Sequence, residues 1–394
     1  MQQTPITTTQ TRVLVVCNAY PSKRALYRNG FIHRRTKAYV AAGIEVEVFY
    51  HHEPISESYS YEYDGVSVTV GNSAALEAKA HDSKYDAFLV HFAEEARVEP
   101  LLRQAGNRPI IIWIHGFEAE AWYRRWFNFI ESAQQIREAI SKKDTYYRPQ
   151  LTYFHNLVES KDPRISFVNV SRWFEQHVVQ PDLDVAFEDS RVIHNLVDNE
   201  VFPYVEKAPE QRKHILSIRP YASRKYANDQ TVKAILELSK RPFFNDLNFT
   251  IAGQGKLFED TTAPIAGFRN VHLLNRFFNQ EEIAALHREH GIFLSPTRFD
   301  SQGVSMCEAA ASGLVNLSTK VSAVPEFFTD HVDSLLAAPE SHEDLADNIE
   351  ELYFNPDLFM RLSRAGSERM KNQCGVDATV NKEIELIKEK VEGR

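Results

Sequence analysis

The sequence predicts an α/β protein of two domains, each built on a parallel sheet. Three observations carry this. The chain, at 394 residues, is too long for one ordinary core. Near its start an apolar run, Val13-Leu14-Val15-Val16-Cys17, leads to a helical stretch from Gly30 to Ala42 that ends at Gly43. A second run from Ile44 to Tyr50 then completes a strand–helix–strand unit. The pattern begins afresh at Ile215-Leu216-Ser217-Ile218, beyond a stretch (Phe202-Pro203, Lys207-Ala208-Pro209) that reads as a linker.

Composition narrows the class. A hydrophobic content of 43% with 25% charged residues is ordinary for a globular chain. The net charge of −9 argues against a general nucleic-acid binder. Cys17, Cys307 and Cys374 are few, odd in number and far apart, so neither a disulfide framework nor a zinc site is expected, and a reducing compartment fits. The polar, Thr-rich start MQQTPITTTQTR does not read as a signal peptide. No apolar run approaches the roughly 20 residues of a membrane span. The expectation is a cytoplasmic protein.

In the first half, further strands are expected at Ala87–His91, Pro109–His115, Ser166–Val170 and Arg191–Ile193, with helices over Phe117–Val158. The loop Tyr20–Gly30 follows the first strand, where α/β sheets bind ligands. It and the helix after it are basic: Lys23, Arg24, Arg28, His33, Arg34, Arg35 and Lys37. One reading is a solvated helix face. The other is a site for an anionic or lipid-linked acceptor beside a membrane surface. His115-Gly116 ends a strand, which favours a working histidine. Glu118, Trp122, Arg124 and Arg125 follow and would shape an acceptor pocket, although an aromatic helix packed on the sheet explains Trp122 equally well. His91 is read as structural, and Ser171 as the N-cap of a helix beginning at Arg172.

In the second half, Arg219 ends the strand Ile215–Ile218, and Ser223-Arg224-Lys225 follows. Strands are expected at Asn248–Ala252, before Gly253-Gln254-Gly255, and at Val271–Leu274, before Asn275-Arg276-Phe277-Phe278. A helix is expected over Gln280–Arg288, and helices after Phe354. The densest stretch is Phe293 to Glu326. A strand ends at Ser295-Pro296, and the polar loop Asp300-Ser301-Gln302-Gly303 leads into a helix from Val304 to Ala311. Gly313 closes that helix and a strand follows from Leu314 to Ser318. Two acids, Asp300 and Glu308, flank the helix start with seven residues between them. N–H groups near Gln302, Gly303 and Val304 would be free there and would favour an anion. Taken singly, Asp300 reads as a turn residue and Glu308 as a solvent-facing helix residue.

This stretch resembles the acidic-x7-acidic signature of retaining glycosyltransferases of the family 4 type, which have the two-Rossmann GT-B fold. Asp300, Gly303, Glu308, Ala309–Gly313 and Glu326 stand in the family's order. Two departures are visible: the first acid is Asp, and Ser322-Ala323 replaces a Gly-Gly pair. In the first domain Gly30 alone stands for two glycines, and Leu196 replaces a glycine of the hinge motif.

The resemblance implies an acceptor-binding domain at 1–200, a nucleotide-sugar-binding domain at 201–375, and a final helix, 376–394, packing back on the first domain. It also implies roles. His115, Asp300 and Glu308 would be catalytic. Arg219, with Lys225 or Arg224 (Lys225 favoured), would hold the donor diphosphate together with Gln302, Gly303 and Val304. Asp300 would hold the sugar, Glu308 the ribose hydroxyls, and Gly253, Arg276 and Phe277 the nucleoside side. Gly30, Arg34, Glu118 and Arg124 would face the acceptor. The implied activity is transfer of a sugar from a UDP- or GDP-linked donor to a hydroxyl of a glycan or lipid-linked acceptor, in polysaccharide or lipopolysaccharide assembly. No metal or other cofactor is implied. Peripheral contact with the inner face of a membrane is the expectation that the basic stretch from Lys23 to Lys37 adds. A nucleotide-sugar epimerase or hydrolase, or a non-catalytic nucleotide-sugar binder, remains as the alternative on the same fold.

Overall fold

The computed structural model describes residues 10–393, apart from 24, 26–27 and 127–129 and the side chains of 125 and 126. Arg24 and the Arg125 side chain therefore lie outside the described residues.

The first sheet has eight strands: β1 (Arg12–Cys17), β2 (Glu45–His51), β3 (Tyr59–Tyr63), β4 (Val66–Gly71), β5 (Ala87–His91), β6 (Ile110–Ile114), β7 (Ile165–Asn169) and β8 (Ser190–Val192). Their order is β3-β4-β2-β1-β5-β6-β7-β8, and only β3 runs antiparallel to its neighbour. Every residue of β5 and β6 is buried, as expected for central strands covered by helices on both faces. The second sheet is wholly parallel: β9 (His214–Ile218), β10 (Asn248–Gly253), β11 (Val271–Asn275), β12 (Ile292–Leu294), β13 (Val315–Thr319) and β14 (Ser334–Ala337), in the order β11-β10-β9-β12-β13-β14.

The strand order reverses direction between β1 and β5 in one sheet and between β9 and β12 in the other. Ligands bind at such reversals, beyond the strands' carboxyl ends. There lie the loop after β1, Arg219 after β9, and residues 295–303 after β12.

Five helices shape the site and the seam between the domains: α1 (Gly30–Ala41), α2 (Gln280–Glu289), α3 (Val304–Ala311), α4 (Pro356–Cys374) and α5 (Val380–Glu392). The segment from Phe117 to Glu159 is chiefly helical, as expected. The hairpin β3–β4 was not anticipated. Its turn is Asp64-Gly65, both with positive φ (47° and 75°), the conformation that an Asp-Gly pair adopts between two strands.

The chain crosses between the two sheets twice, after β8 and between α4 and α5. The crossings touch: the Val197 N–H donates to the Cys374 carbonyl at 2.8 Å. Beyond the second crossing, α5 lays Val380, Ile384 and Ile387 into the first sheet's core beside Val13, Val15 and Trp113. Glu383 is fully buried among them. It accepts from Arg35 Nε at 2.8 Å on both oxygens, from the Tyr39 hydroxyl and from Trp113 Nε1 at 3.2 Å. Burial and the facing Glu383 charge raise the Tyr39 phenol well above its ordinary value, so it stays a donor.

Glu383→Ala would leave the Arg35 guanidinium buried without its counter-charge, a loss on the order of 3–5 kcal/mol. Urea denaturation of the variant checks this; an unchanged midpoint would show that the cluster contributes nothing to holding α5.

Candidate functional site

The helix α3 organises the site because its first turn has donors to spare. Gly303 precedes it at φ +78°, and a side chain there would meet Met306. Asp300 Oδ1 accepts from the Gly303 N–H at 2.8 Å and, more weakly, from that of Gln302 at 3.4 Å. These two amides, expected to be free for an anion, are thus capped by the first acid of the signature. The amides of Val304 and Ser305 remain, one step further into the helix. The Gln302 side chain is likewise committed elsewhere: it accepts from the Asn195 N–H at 2.7 Å and from Asn195 Nδ2 at 2.9 Å, and donates to Asn195 O at 3.1 Å. It pins the loop to the first domain and does not face a diphosphate.

Ser322 shows what the departure from Gly-Gly does. It adopts φ +45°, a conformation costly for a side chain, and its Oγ accepts from the Asp300 N–H at 3.0 Å. The added hydroxyl fixes the loop that carries Asp300.

Arg219 is almost wholly buried at the end of β9. Its Nη1 donates to Ser305 Oγ at 3.1 Å, and Asp300 Oδ2 stands 3.9 Å from Nη2. Nε and Nη2 find no hydrogen-bond partner among the described residues. Burial lowers the guanidinium pKa from its ordinary value, and the Asp300 charge works against that. Tyr226 lies under two cations, Arg219 Cζ at 5.0 Å and Lys225 Nζ at 5.1 Å from its ring centre. Arg224 instead pairs with Glu131 of the first domain. The ring therefore groups Lys225, not Arg224, with Arg219. Gly253 faces backbone and not a ligand: a Cβ there would stand 1.9 Å from the Arg219 carbonyl oxygen. Its φ of +146° lets the end of β10 press against the turn that carries Arg219.

A cavity of about 1110 Å³ opens between the domains. Gly30 and Arg34 line it from α1, Val304, Ser305 and Glu308 from α3, and Gln280 and Ile283 from α2. Asp198 and the α5 residue Ile384 close its far side. Glu308 is buried, and burial raises its carboxyl pKa, with Arg34 opposing the shift and Asp198 adding to it. Arg34 Nη2 donates to Glu308 Oε1 at 2.9 Å.

This corrects the reading of Arg34 and Arg35 as a solvated or membrane-facing pair. Both are buried, one against Glu308 and the other against Glu383. No helix among the described residues is long and apolar enough to cross a membrane.

His115 lies outside the cavity lining, behind Phe31, with ring centres 5.1 Å apart. Its Nε2 shares a 2.9 Å hydrogen bond with His91 Nδ1, so His91 is a partner of His115. Burial, with the Arg35 charge adding, holds both imidazoles well below their ordinary pKa and hence neutral. The His115 carbonyl accepts from Ser301 Oγ at 2.8 Å, which ties it to the Asp300 loop.

Other expected acceptor residues serve the scaffold. Glu118 accepts from the N–H groups of His115 at 2.6 Å and Gly116 at 3.1 Å and is fully buried. Arg124 pairs with Asp182 and donates to the His177 carbonyl at 2.9 Å. Arg276 is exposed, pairs with Glu282 at 2.8 Å and lies over Phe278, while Phe277 points outward. Ser171 is the N-cap expected, accepting from the Phe174 N–H, and its hydroxyl also donates to the Ser301 carbonyl at 2.6 Å. Glu326 accepts from the N–H groups of Arg172 and Trp173 at 2.9 and 2.8 Å, capping a helix of the other domain.

The sequence reading missed Ser305, although its place one turn before Glu308 on the same helix was a usable signal. It also missed the contribution of Asp198 and α5 to the cavity wall, for which no local pattern exists.

Residues 212–355 match the family described as Glycosyl transferases group 1. No curated protein matches the sequence. Among solved structures, the sucrose-phosphate synthase of Thermosynechococcus elongatus aligns with a TM-score of 0.75 at 14% identity, over 98% of this chain and 100% of that one. A glycosyltransferase of Rickettsia africae aligns with a TM-score of 0.68 at 14% identity, over 98% and 100%. HepE of Anabaena, in complex with UDP and glucose, aligns with a TM-score of 0.65 at 13% identity, over 96% and 99%. Identities this low speak for the fold, and the family match speaks for the second domain. The chain has the two-sheet GT-B fold of these glycosyltransferases, and its second domain, over residues 212–355, matches the group 1 family.

Proposed function

We propose that the protein moves a sugar, with retention at the anomeric carbon and without a metal, from a UDP- or GDP-linked donor to a hydroxyl of a glycan or lipid-linked acceptor in polysaccharide or lipopolysaccharide assembly. The observation that carries the donor site is Arg219. It is a buried guanidinium with two nitrogens that have no partner among the described residues, bonded to Ser305 in the first turn of α3, one turn before a glutamate that lines the interdomain cavity. A buried cation short of acceptors is stabilised by an anion, and the amides of Val304 and Ser305 add donors beside it.

In this reading the nucleoside occupies the cavity, with its base toward Gln280 and Ile283 and its ribose hydroxyls on Glu308. The diphosphate reaches Arg219, Lys225 and the α3 amides. The sugar extends toward Asp300 and His115. The bond from the anomeric carbon to the diphosphate oxygen breaks as the acceptor oxygen bonds to the same face. The acceptor proton passes to the departing phosphate. Cations placed in advance around that phosphate stabilise the charge it gains. His115, neutral, donates or accepts a hydrogen bond without adding charge. Peripheral contact with a membrane, if a lipid-linked acceptor is used, has to come from surfaces other than Arg34 and Arg35.

A thermal-shift screen of UDP-, GDP- and ADP-sugars in EDTA tests the donor site. One series raises Tm in the wild type, by the equivalent of about 2.7 kcal/mol at a hundredfold excess over Kd. Arg219→Ala loses the shift. Stabilisation that survives in Arg219→Ala, or needs a divalent ion, overturns the assignment.

The stereochemical claim has its own check. Proton NMR of the first product formed with the selected donor should show the donor's anomeric configuration; the opposite anomer would exclude retention.

A further inference from the structure

The ion pair between Arg34 and Glu308 joins residues 274 positions apart, one on each side of the cavity. Arg34 is nine-tenths buried, and among the described residues Glu308 is its only hydrogen-bond acceptor. Its Nε and Nη1 have none. Glu308 engages Arg34 through Oε1 alone, and no partner is seen for Oε2 among the described residues, although the side chain lines the cavity.

A carboxylate buried in this way and standing near Asp198 is biased toward its protonated form, which accepts hydrogen bonds poorly. A cation on one oxygen restores the ionised form and fixes the plane of the carboxylate, so that the other oxygen points in a set direction.

We propose that Arg34 is a positioning residue for the donor: it holds Glu308 Oε1 and thereby presents Oε2 to the ribose hydroxyls. The inference rests on the ribose role proposed for Glu308. It adds that recognition of the ribose is completed by the first domain, which is otherwise the acceptor's side. The α1 helix therefore reads the donor indirectly, through a residue of the opposite domain.

Titration calorimetry on the full chain tests this. The ligands are the nucleoside diphosphate selected by the screen and its 2′,3′-dideoxy form; the proteins are wild type, Glu308→Gln, Arg34→Met and Arg34→Gln. Wild type is expected to prefer the ribose form by roughly tenfold, the size of one hydrogen bond to a charged group. Arg34→Met loses most of that preference and binds the dideoxy form as tightly as wild type does. Arg34→Gln keeps a donor but not the charge, and serves if the Met variant does not fold; it too has a reduced preference. An undiminished preference in either Arg34 variant, or an equal loss for both ligands, overturns the inference and leaves the ribose role of Glu308 standing. A preference that persists in Glu308→Gln, or is absent from wild type, removes the ribose role and the inference with it.

Discussion

Two neighbouring arginines on one helix hold this molecule in its working shape. Arg34 and Arg35 differ by about 100° around α1, so one reaches across the seam to Glu308 and the other reaches to Glu383 on the returning helix. Each carboxylate is buried, and each would be costly without its cation. The pairing is therefore specific in a way that apolar packing is not. A helix displaced by one turn along this seam would bury four charges without partners. The first domain, the second domain and the C-terminal helix are registered against one another by a single turn of α1.

The site shows the same economy with charge. The cations near the helix α3 are placed where burial has already stripped away water, and several of their nitrogens have no acceptor among the described residues. The imidazoles at the carboxyl ends of β5 and β6 are kept neutral by that burial and by the Arg35 charge. An anion arriving in such a region meets oriented donors. The two carboxylates nearest those donors are partly engaged already, Glu308 by Arg34 and Asp300 by the amides of its own loop.

Much of the fold was legible in the chain because the relevant signals are local. Apolar runs of about five residues bounded by polar loops gave the central strands, and Asp300, Gly303, Glu308 and Gly313 gave the strand–loop–helix unit its shape. The β3–β4 hairpin was also written in the chain, as alternating residues around Asp64-Gly65, and went unread. What could not be read locally was partnership. A helix carrying Arg34, Arg35 and Lys37 looks like a solvated basic face until its acids, hundreds of residues away, are folded against it. Gln302 was misassigned for the same reason, since its partner Asn195 belongs to the far domain. Arg124 pairs with Asp182 within its own domain, and Glu118 caps the neighbouring amides of His115 and Gly116. A polar residue in a promising loop has the same sequence signature whether it awaits a ligand or is already bonded within the protein. Ser322 is the converse case: at a position that reads only as a departure from a Gly-Gly pair, its hydroxyl acts as a loop fastener.

The two crossings of the chain between the sheets meet where the Val197 amide donates to Cys374. A single tether would let one lobe swing in any direction about a point. Two covalent connections held side by side define a line, and rotation about a line is one degree of freedom. Any rotation of one lobe against the other is thereby restricted from a cone of orientations to an arc. The return of α5 to the first domain is thus more than a fastening of the C-terminus: it sets the axis about which the two sheets are registered.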